Sequence, residues 1–294
     1  MTDPAPDRVV DCRCHTGEGP LWNPEDEMLY WVDTPNGLLY RYDPNREVHE
    51  RCYWTGTIGG FTVQEDGSLL LFEDGGCFER WHDGATETVV NGIEREAASR
   101  FNDAIADPRG RVFCGTMPTD SQSGSLYRVD TDGAVTHLLD ELDIPNGMEF
   151  SSSIDTLHVT ESEPGRIHSF AYDKSTGELS NRSVFLDIGN ETGVPDGLTI
   201  DEEGCIWSAR WNGGCLVRYA PDGTELRRVE FPARKVSSVT FGGEQYDRAY
   251  VTTALGPGEG PAGERDAEGN GAGTVFALRP EITGVPEHHL RIGI

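Results

Sequence analysis

The chain has 294 residues, of which 51 are acidic and 24 basic, giving a formal charge of −27. No basic run offsets that field, so nucleic acid and anionic membrane surfaces are not expected partners. No apolar stretch is long enough to span a bilayer, and the start Met-Thr-Asp-Pro-Ala-Pro lacks the basic segment and apolar core of a signal peptide, so a cytoplasmic protein is expected.

In chain order, first strands are expected at Leu21, Phe61, Ile105, Met148, Leu198 and Val239, spaced 40, 44, 43, 50 and 41 residues apart. This is the period of a four-stranded propeller blade. In the clearest copies, starting at Phe61, Ile105 and Leu198, an extended run meets a charged glycine turn and reverses as a hairpin. A second hairpin follows each, opened by Gly37, Gly124, Gly165, Gly214 and Gly273, and its period-two alternation suits an outer strand. The second repeat lacks a clean copy of this segment, Gly76-Cys-Phe-Glu-Arg-Trp being the nearest.

These units predict an all-β fold, a six-bladed β-propeller with four-stranded blades around a central channel, as a single domain over residues 1–294. A β-sandwich would show turns about every 8–12 residues without a superperiod. Circular closure removes sheet edges, so residues near Val9 to Cys14 are expected to complete the sheet of the last repeat, around Val239 to Leu278. The tract Gly256 to Gly273 reads as a flexible loop within the last blade.

Lys174 and Lys235 are the only lysines. So acidic and lysine-poor a surface suits high salt, where carboxylate repulsion is screened, and suggests a halophilic origin. Seven cysteines, at 12, 14, 52, 77, 114, 205 and 215, form no paired framework and read as buried free thiols. Cys12-Arg-Cys14 has the spacing of a metal or redox pair, but its two thiols would point to opposite faces if that segment were a strand.

Segments leading into the first strands carry the polar side chains that a channel could gather: Thr16-Gly-Glu-Gly-Pro, Ser99-Arg-Phe-Asn-Asp, Ile144-Pro-Asn-Gly-Met and Val194-Pro-Asp-Gly-Leu. Glu18, Asn146 and Asp196 offer two carboxylates and one amide oxygen, hard donors that favour Ca²⁺, Mg²⁺ or Mn²⁺ and can also hold Zn²⁺ or Fe²⁺. Asn146 and Asp196, in Pro-Asn-Gly and Pro-Asp-Gly, also read as turns, and a rigid turn fixes where a side chain points. Arg100 and Asn102, two apart, can face one side of an extended segment and serve a polyhydroxylated ligand. Asp103 points elsewhere and can either fix the start of its strand or act in the site directly. His15 is expected to support the site rather than to ligate.

Gly17-Glu-Gly-Pro-Leu-Trp, Arg100-Phe-Asn-Asp, Asp107-Pro-Arg-Gly-Arg with Gly115-Thr-Met, Asn146-Gly, and Pro195-Asp-Gly-Leu with Trp211-Asn-Gly-Gly occur in the order of the regucalcin and gluconolactonase family. Over roughly residues 15 to 255 the chain resembles these sugar-lactone hydrolases, some members of which are described chiefly as calcium-binding regulators. The resemblance implies one divalent ion held by Glu18, Asn146 and Asp196, and substrate contacts from Arg100, Asn102 and Asp120. Vertebrate members carry Glu at the last of these positions. It further implies hydrolysis of a pentono- or related aldono-lactone, with the ion polarising the carbonyl and Asp196 helping to deprotonate the attacking water. No Gly-x-Ser-x-Gly elbow or histidine triad spacing supports a covalent serine route. The competing readings are a noncatalytic cation-binding or regulatory propeller and a related phosphate or aryl-ester hydrolase.

Overall fold

The computed structural model describes residues 5–257 and 261–293. A short strand β1 (Asp7–Val10) precedes six four-stranded groups. The first holds β2 (Gly17–Asn23), β3 (Met28–Asp33), β4 (Leu38–Asp43) and β5 (Val48–Trp54); the second β6 (Ile58–Val63), β7 (Leu69–Glu73), β8 (Cys77–His82) and β9 (Ala85–Asn91). The third holds β10 (Phe101–Ala106), β11 (Val112–Thr116), β12 (Gly124–Val129) and β13 (Val135–Leu142); the fourth β14 (Pro145–Phe150), β15 (Thr156–Glu161), β16 (Arg166–Tyr172) and β17 (Leu179–Asp187). The fifth holds β18 (Val194–Ile200), β19 (Ile206–Trp211), β20 (Cys215–Tyr219) and β21 (Glu225–Glu230). The last begins with β22 (Lys235–Gly242), β23 (Arg248–Ala254) and β24 (Val275–Leu278), and β1 completes it, antiparallel to β24 with Arg8 opposite Phe276. The architecture is therefore an all-β six-bladed β-propeller with four-stranded antiparallel blades.

All six expected first strands form at the predicted residues. The glycine-opened segments are the third strands, each with a fourth beyond it, rather than outer strands, and the second blade has a full-length copy in β8. The closing strand runs from Asp7 to Val10, so Cys12 and Cys14 lie past its end.

Local chemistry explains the hairpins. Asp107 follows β10 and accepts the N–H groups of Arg109 (2.7 Å) and Arg111 (3.0 Å), while its other oxygen takes Arg111 Nε and the Tyr172 hydroxyl. Asp201 repeats the arrangement after β18, accepting Glu203 and Cys205 N–H, the Trp207 indole and Arg218 Nε. The turn glycines Gly110 and Gly204 hold φ of 81° and 76°, a left-handed conformation that a Cβ would penalise.

By contacts the chain forms two compact units: Met1–Thr55 with Ile188–Pro286, and Gly56–Asp187 with Glu287–Ile294. In the first, β18, β22 and β2 pack side by side, and apolar cores centred on Trp207, Val251 and Phe276 and on Trp31, Leu29 and Tyr250 fill the spaces between neighbouring blades. In the second, β6, β10 and β14 pack side by side, with cores around Phe72, Phe78 and Phe101 and around Phe113, Phe150 and Leu157. One blade cannot cover both of its faces alone, which is why the apolar residues of neighbouring blades within each unit share these cores. Among the described residues no helix is long and apolar enough to cross a membrane.

The tract after β23 is tied down where it is described. A helical turn, α1 (Arg265–Glu268), brings Glu268 to Arg234 (3.0 Å) and to the buried Lys235, and Gly263 N–H bonds Leu255 O at 2.9 Å. Residues 258–260 of that tract lie outside the described residues, so its expected flexibility finds no support in the part that is described.

Candidate active site

Each first strand departs from regular pairing near its start. In β10, β22 and β6 the register slips between Phe101 and Asp103, Val236 and Ser238, and Ile58 and Gly60, leaving Asn102, Ser237 and Gly59 as the extra residues. In β14 and β18 the slip lies between Pro145 and Met148 and between Pro195 and Leu198, so Asn146-Gly147 and Asp196-Gly197 bulge. In β2 it lies between Glu18 and Leu21. A β-bulge bends its strand and re-aims the side chain it carries. Asn102, Asn146 and Asp196 thus sit in the bulges of three blades, whereas Glu18 is the last paired residue before the slip in β2, opposite Val32. Asn146 and Asp196 lie in bulges within strands rather than in the turns their Pro-Asn-Gly and Pro-Asp-Gly sequences suggest.

In the first unit the start of β2 is organised by Asp33, whose carboxylate accepts the N–H groups of His15 and Thr16 at 3.0 Å each. His15 itself is buried, with Nδ1 2.9 Å from Thr16 Oγ1 and its carbonyl accepting Gly256 N–H, a structural role. Glu18 follows, half-buried. On β22, Ser237 donates its hydroxyl to Gly17 O at 2.5 Å, and Gly197 lies so close to Ser238 that a Cβ there would collide with it. Strands β2 and β18 therefore both press on the serine pair of β22, which holds Glu18 and the buried Asp196 on its two flanks. The sequence reading missed Ser237 and Ser238; their signal is Val236-Ser-Ser-Val239 at the repeat position held elsewhere by Asn and Asp.

In the second unit the bulge residues form a hydrogen-bonded relay. Arg100 Nη1 donates to Asn102 Oδ1 (3.0 Å) and to Phe101 O (2.9 Å), and Asn102 Nδ2 donates to Pro145 O at 3.1 Å, reaching the residue before Asn146. Arg100 and Asn102 do face one side. The buried Asn146 accepts Gly147 N–H on Oδ1 (3.1 Å) and donates to Ser162 Oγ (3.3 Å). Asp103 turns its carboxylate to Ala104 N–H at 2.7 Å, and burial pushes its acid up to about 7 against that hydrogen bond. The β6 and β10 bulges approach closely because Gly59 has no side chain: a Cβ there would strike the Phe101 carbonyl.

Asp120 is placed apart from this relay in sequence and setting. It is exposed in the turn between Thr119 and Gln122 and lines a cleft of about 530 Å³ with Ser121, Glu141 and Glu161. Glu161 is fixed there by His168 Nε2 (2.8 Å), Arg182 (2.7 Å) and Asp143 N–H (3.0 Å); burial opposes its ionisation, yet these partners hold its acid below the usual range.

Among the described residues no three His, Cys, Asp or Glu side chains gather as a metal cluster. The expected donor set contains two carboxylates and an amide, a composition of a different kind.

The SMP-30/gluconolactonase/LRE-like region matches residues 16–255. The pentonolactonase XacC of Haloferax volcanii is 49% identical over 95% of this chain and 96% of its own length. Regucalcin of Xenopus laevis is 32% identical over 84% of this chain and 85% of its own. Among solved structures, a calcium-binding protein, regucalcin, from Agrobacterium tumefaciens superposes with a TM-score of 0.89 at 26% identity, covering 98% of both chains. With a family match across most of its length and bulge residues in the family's order, the chain belongs to the regucalcin, SMP-30 and gluconolactonase family.

Proposed function

We propose that the chain hydrolyses a sugar lactone, a pentono- or related aldono-lactone, to the free aldonic acid, with a divalent cation held by Glu18, Asn146 and Asp196. The observation that carries this reading is the 49% identity, over nearly the whole chain, to a protein named pentonolactonase. The repeat-equivalent bulges support the residue roles, because the same strand distortion presents Asn102, Asn146 and Asp196.

The donor chemistry fits a hard cation. Asn146 Oδ1, which accepts Gly147 N–H, is a neutral amide oxygen, a hard donor of the kind such a cation takes. Asp196 is buried, and a buried carboxylate is stabilised by a cation. A divalent ion bound there supplies Lewis acidity for opening an ester carbonyl.

The chain's own residues do the rest. Asp196 would take the proton from the attacking water and return it to the departing ring oxygen. Arg100 and Asn102 bind ring hydroxyls: Arg100 donates only, whereas Asn102 both donates and accepts. Asp120, shorter than Glu by one methylene, contacts a sugar hydroxyl from its turn.

Proton release from several aldonolactones, with metal-stripped protein and Mg²⁺, Mn²⁺, Ca²⁺, Zn²⁺ or Fe²⁺ added back singly, tests the reading once spontaneous opening is subtracted. At least one ion should restore turnover. A cation that raises the melting temperature without accelerating any lactone would instead indicate a binding propeller, and faster cleavage of phosphate or aryl esters a different hydrolase. The −27 charge and two lysines support adaptation to high salt. The melting temperature should then climb as KCl is raised to molar levels, and full stability in dilute buffer would oppose it.

A further inference from the structure

Beyond the end of β1 the backbone turns sharply at Arg13, whose φ of 54° lies in the left-handed region that non-glycine residues rarely adopt. The turn replaces the strand alternation that would separate its neighbours. Cys12 and Cys14 consequently meet, with their sulfurs 3.1 Å apart, and both are free thiols. The pair is asymmetric: Cys14 is 1% exposed, whereas Cys12 is only half-buried beside the exposed Arg13.

The surroundings set these two thiols apart from the other five. The wholly buried Trp31 stacks on Tyr40 and packs in one core with Cys12 and Cys14. The hydrogen bond from Cys14, outweighing burial, holds the Cys12 thiol below its ordinary range, while burial drives Cys14 well above it. Burial raises Cys52, up to about 12, and likewise Cys77, Cys114, Cys205 and Cys215. A nucleophilic thiol in reach of the surface, backed by a second thiol in van der Waals contact, is the arrangement that thiol–disulfide exchange requires.

We propose that Cys12 and Cys14 form a dithiol redox site that reacts with low-molecular-weight disulfides, Cys12 attacking and Cys14 resolving. The Cys12 sulfur attacks one sulfur of the small disulfide, forming a mixed disulfide and expelling a thiolate. That thiolate takes the Cys14 proton. The Cys14 sulfur then attacks Cys12, breaking the mixed bond and releasing the second small thiolate, which takes up from water the proton that Cys12 gave to water on attack. Two protein thiols are oxidised to one disulfide, and one small disulfide is reduced to two thiols.

The site also grips the segment after β23. Gly273 O accepts both Cys14 N–H (2.9 Å) and the Cys12 thiol (3.3 Å), and Cys14 O accepts Leu255 N–H (3.2 Å). Oxidation removes the thiol donor from Gly273 and closes a sulfur gap of 3.1 Å to about 2 Å.

Freshly reduced full-length chain, incubated with oxidised glutathione and analysed by intact and peptide mass, tests this. The expected product is a peptide spanning Cys12 and Cys14 lighter by two hydrogens, a fall from seven free thiols to five, and no retained glutathione. In C14S the glutathione should stay on Cys12, and in C12S Cys14 should be unmodified. In the unsubstituted chain, iodoacetamide should label Cys12 about tenfold faster than the other five thiols outside the pair. A stable glutathione adduct on the unsubstituted chain, a bond from Cys12 to any other cysteine, or an unchanged thiol count would overturn the proposal, and none of these three readouts depends on a variant that must fold.

Discussion

In the unit built on β18, β22 and β2 the bulged Asp196 and Glu18, paired just before the β2 bulge, flank a serine pair, whereas in the unit built on β6, β10 and β14 the bulges of β10 and β14 carry amides beside a guanidinium. The strand distortion is the same in both. What differs is how the side chains are held. Asp196 and Glu18 sit on strands that press backbone to side chain against Ser237 and Ser238. Arg100 and Asn102 are linked by side-chain hydrogen bonds that end on a backbone carbonyl. The comparison teaches that one fold device serves two chemistries: negative charge is delivered by close packing, and donors and acceptors are oriented by a relay.

Five substitutions test that division, the largest effect first. Asp196→Asn keeps the shape of the side chain but removes the proton acceptor and a charge, so lactone opening should fall by about 10²–10⁴-fold with an unchanged circular dichroism spectrum. Near-normal turnover with metal retained would remove Asp196 from the proposed chemistry.

Glycine substitutions probe the packing on each side. Gly59→Ala sets a methyl against a backbone carbonyl that cannot rotate away, and should cost about 3 kcal/mol in urea unfolding. Gly197→Ala meets Ser238 Cβ and Cα as well as its hydroxyl, and only the hydroxyl can turn away, so its cost should be about 2 kcal/mol. Equal costs would show that the two close approaches are alike after all.

Asn102→Ala breaks the relay at its centre, leaving Arg100 without that acceptor and Pro145 O without that donor. A loss of about tenfold in kcat/KM is expected, equivalent to roughly one good hydrogen bond. Steady-state kinetics on the best lactone would show it, and a loss as large as that of the Asp196 variant would mean that Asn102 does more than orient substrate.

The smallest effect concerns Asp103. Its acid is raised to about 7 in the folded chain, so between its unfolded value near 4 and 7 the folded state binds more protons than the unfolded one. Its contribution therefore favours folding at low pH and is lost as pH rises through 7. Melting curves from pH 5 to 8 should decline less steeply for Asp103→Asn, which should also be the more stable protein at pH 8. Parallel curves would show that the carboxyl is solvated.

Much of the blade structure was legible in the chain because its causes are local. The six first strands, the Asp-x-x-Gly hairpins after β10 and β18, and the closing role of the first strand follow from alternation, turn chemistry and the need to leave no sheet edge. Arg100 and Asn102 were paired correctly because residues two apart on an extended segment share a side. The bulges were not legible: Pro-Asn-Gly and Pro-Asp-Gly have turn chemistry, and only the partner strands show that these residues remain in the sheet.

The amino-acid order by itself determined the repeat, the strands, the acidic surface and the identity of every polar side chain at the starts of the first strands. Tertiary structure alone decided which of those side chains share a distorted register and that Lys235 is buried against Glu268. It also decided that Arg13 turns Cys12 onto Cys14. The reason is physical. Periodicity and turn propensity act over a few residues, whereas a bulge, a buried ion pair and a left-handed residue persist only when segments far apart in the chain hold them.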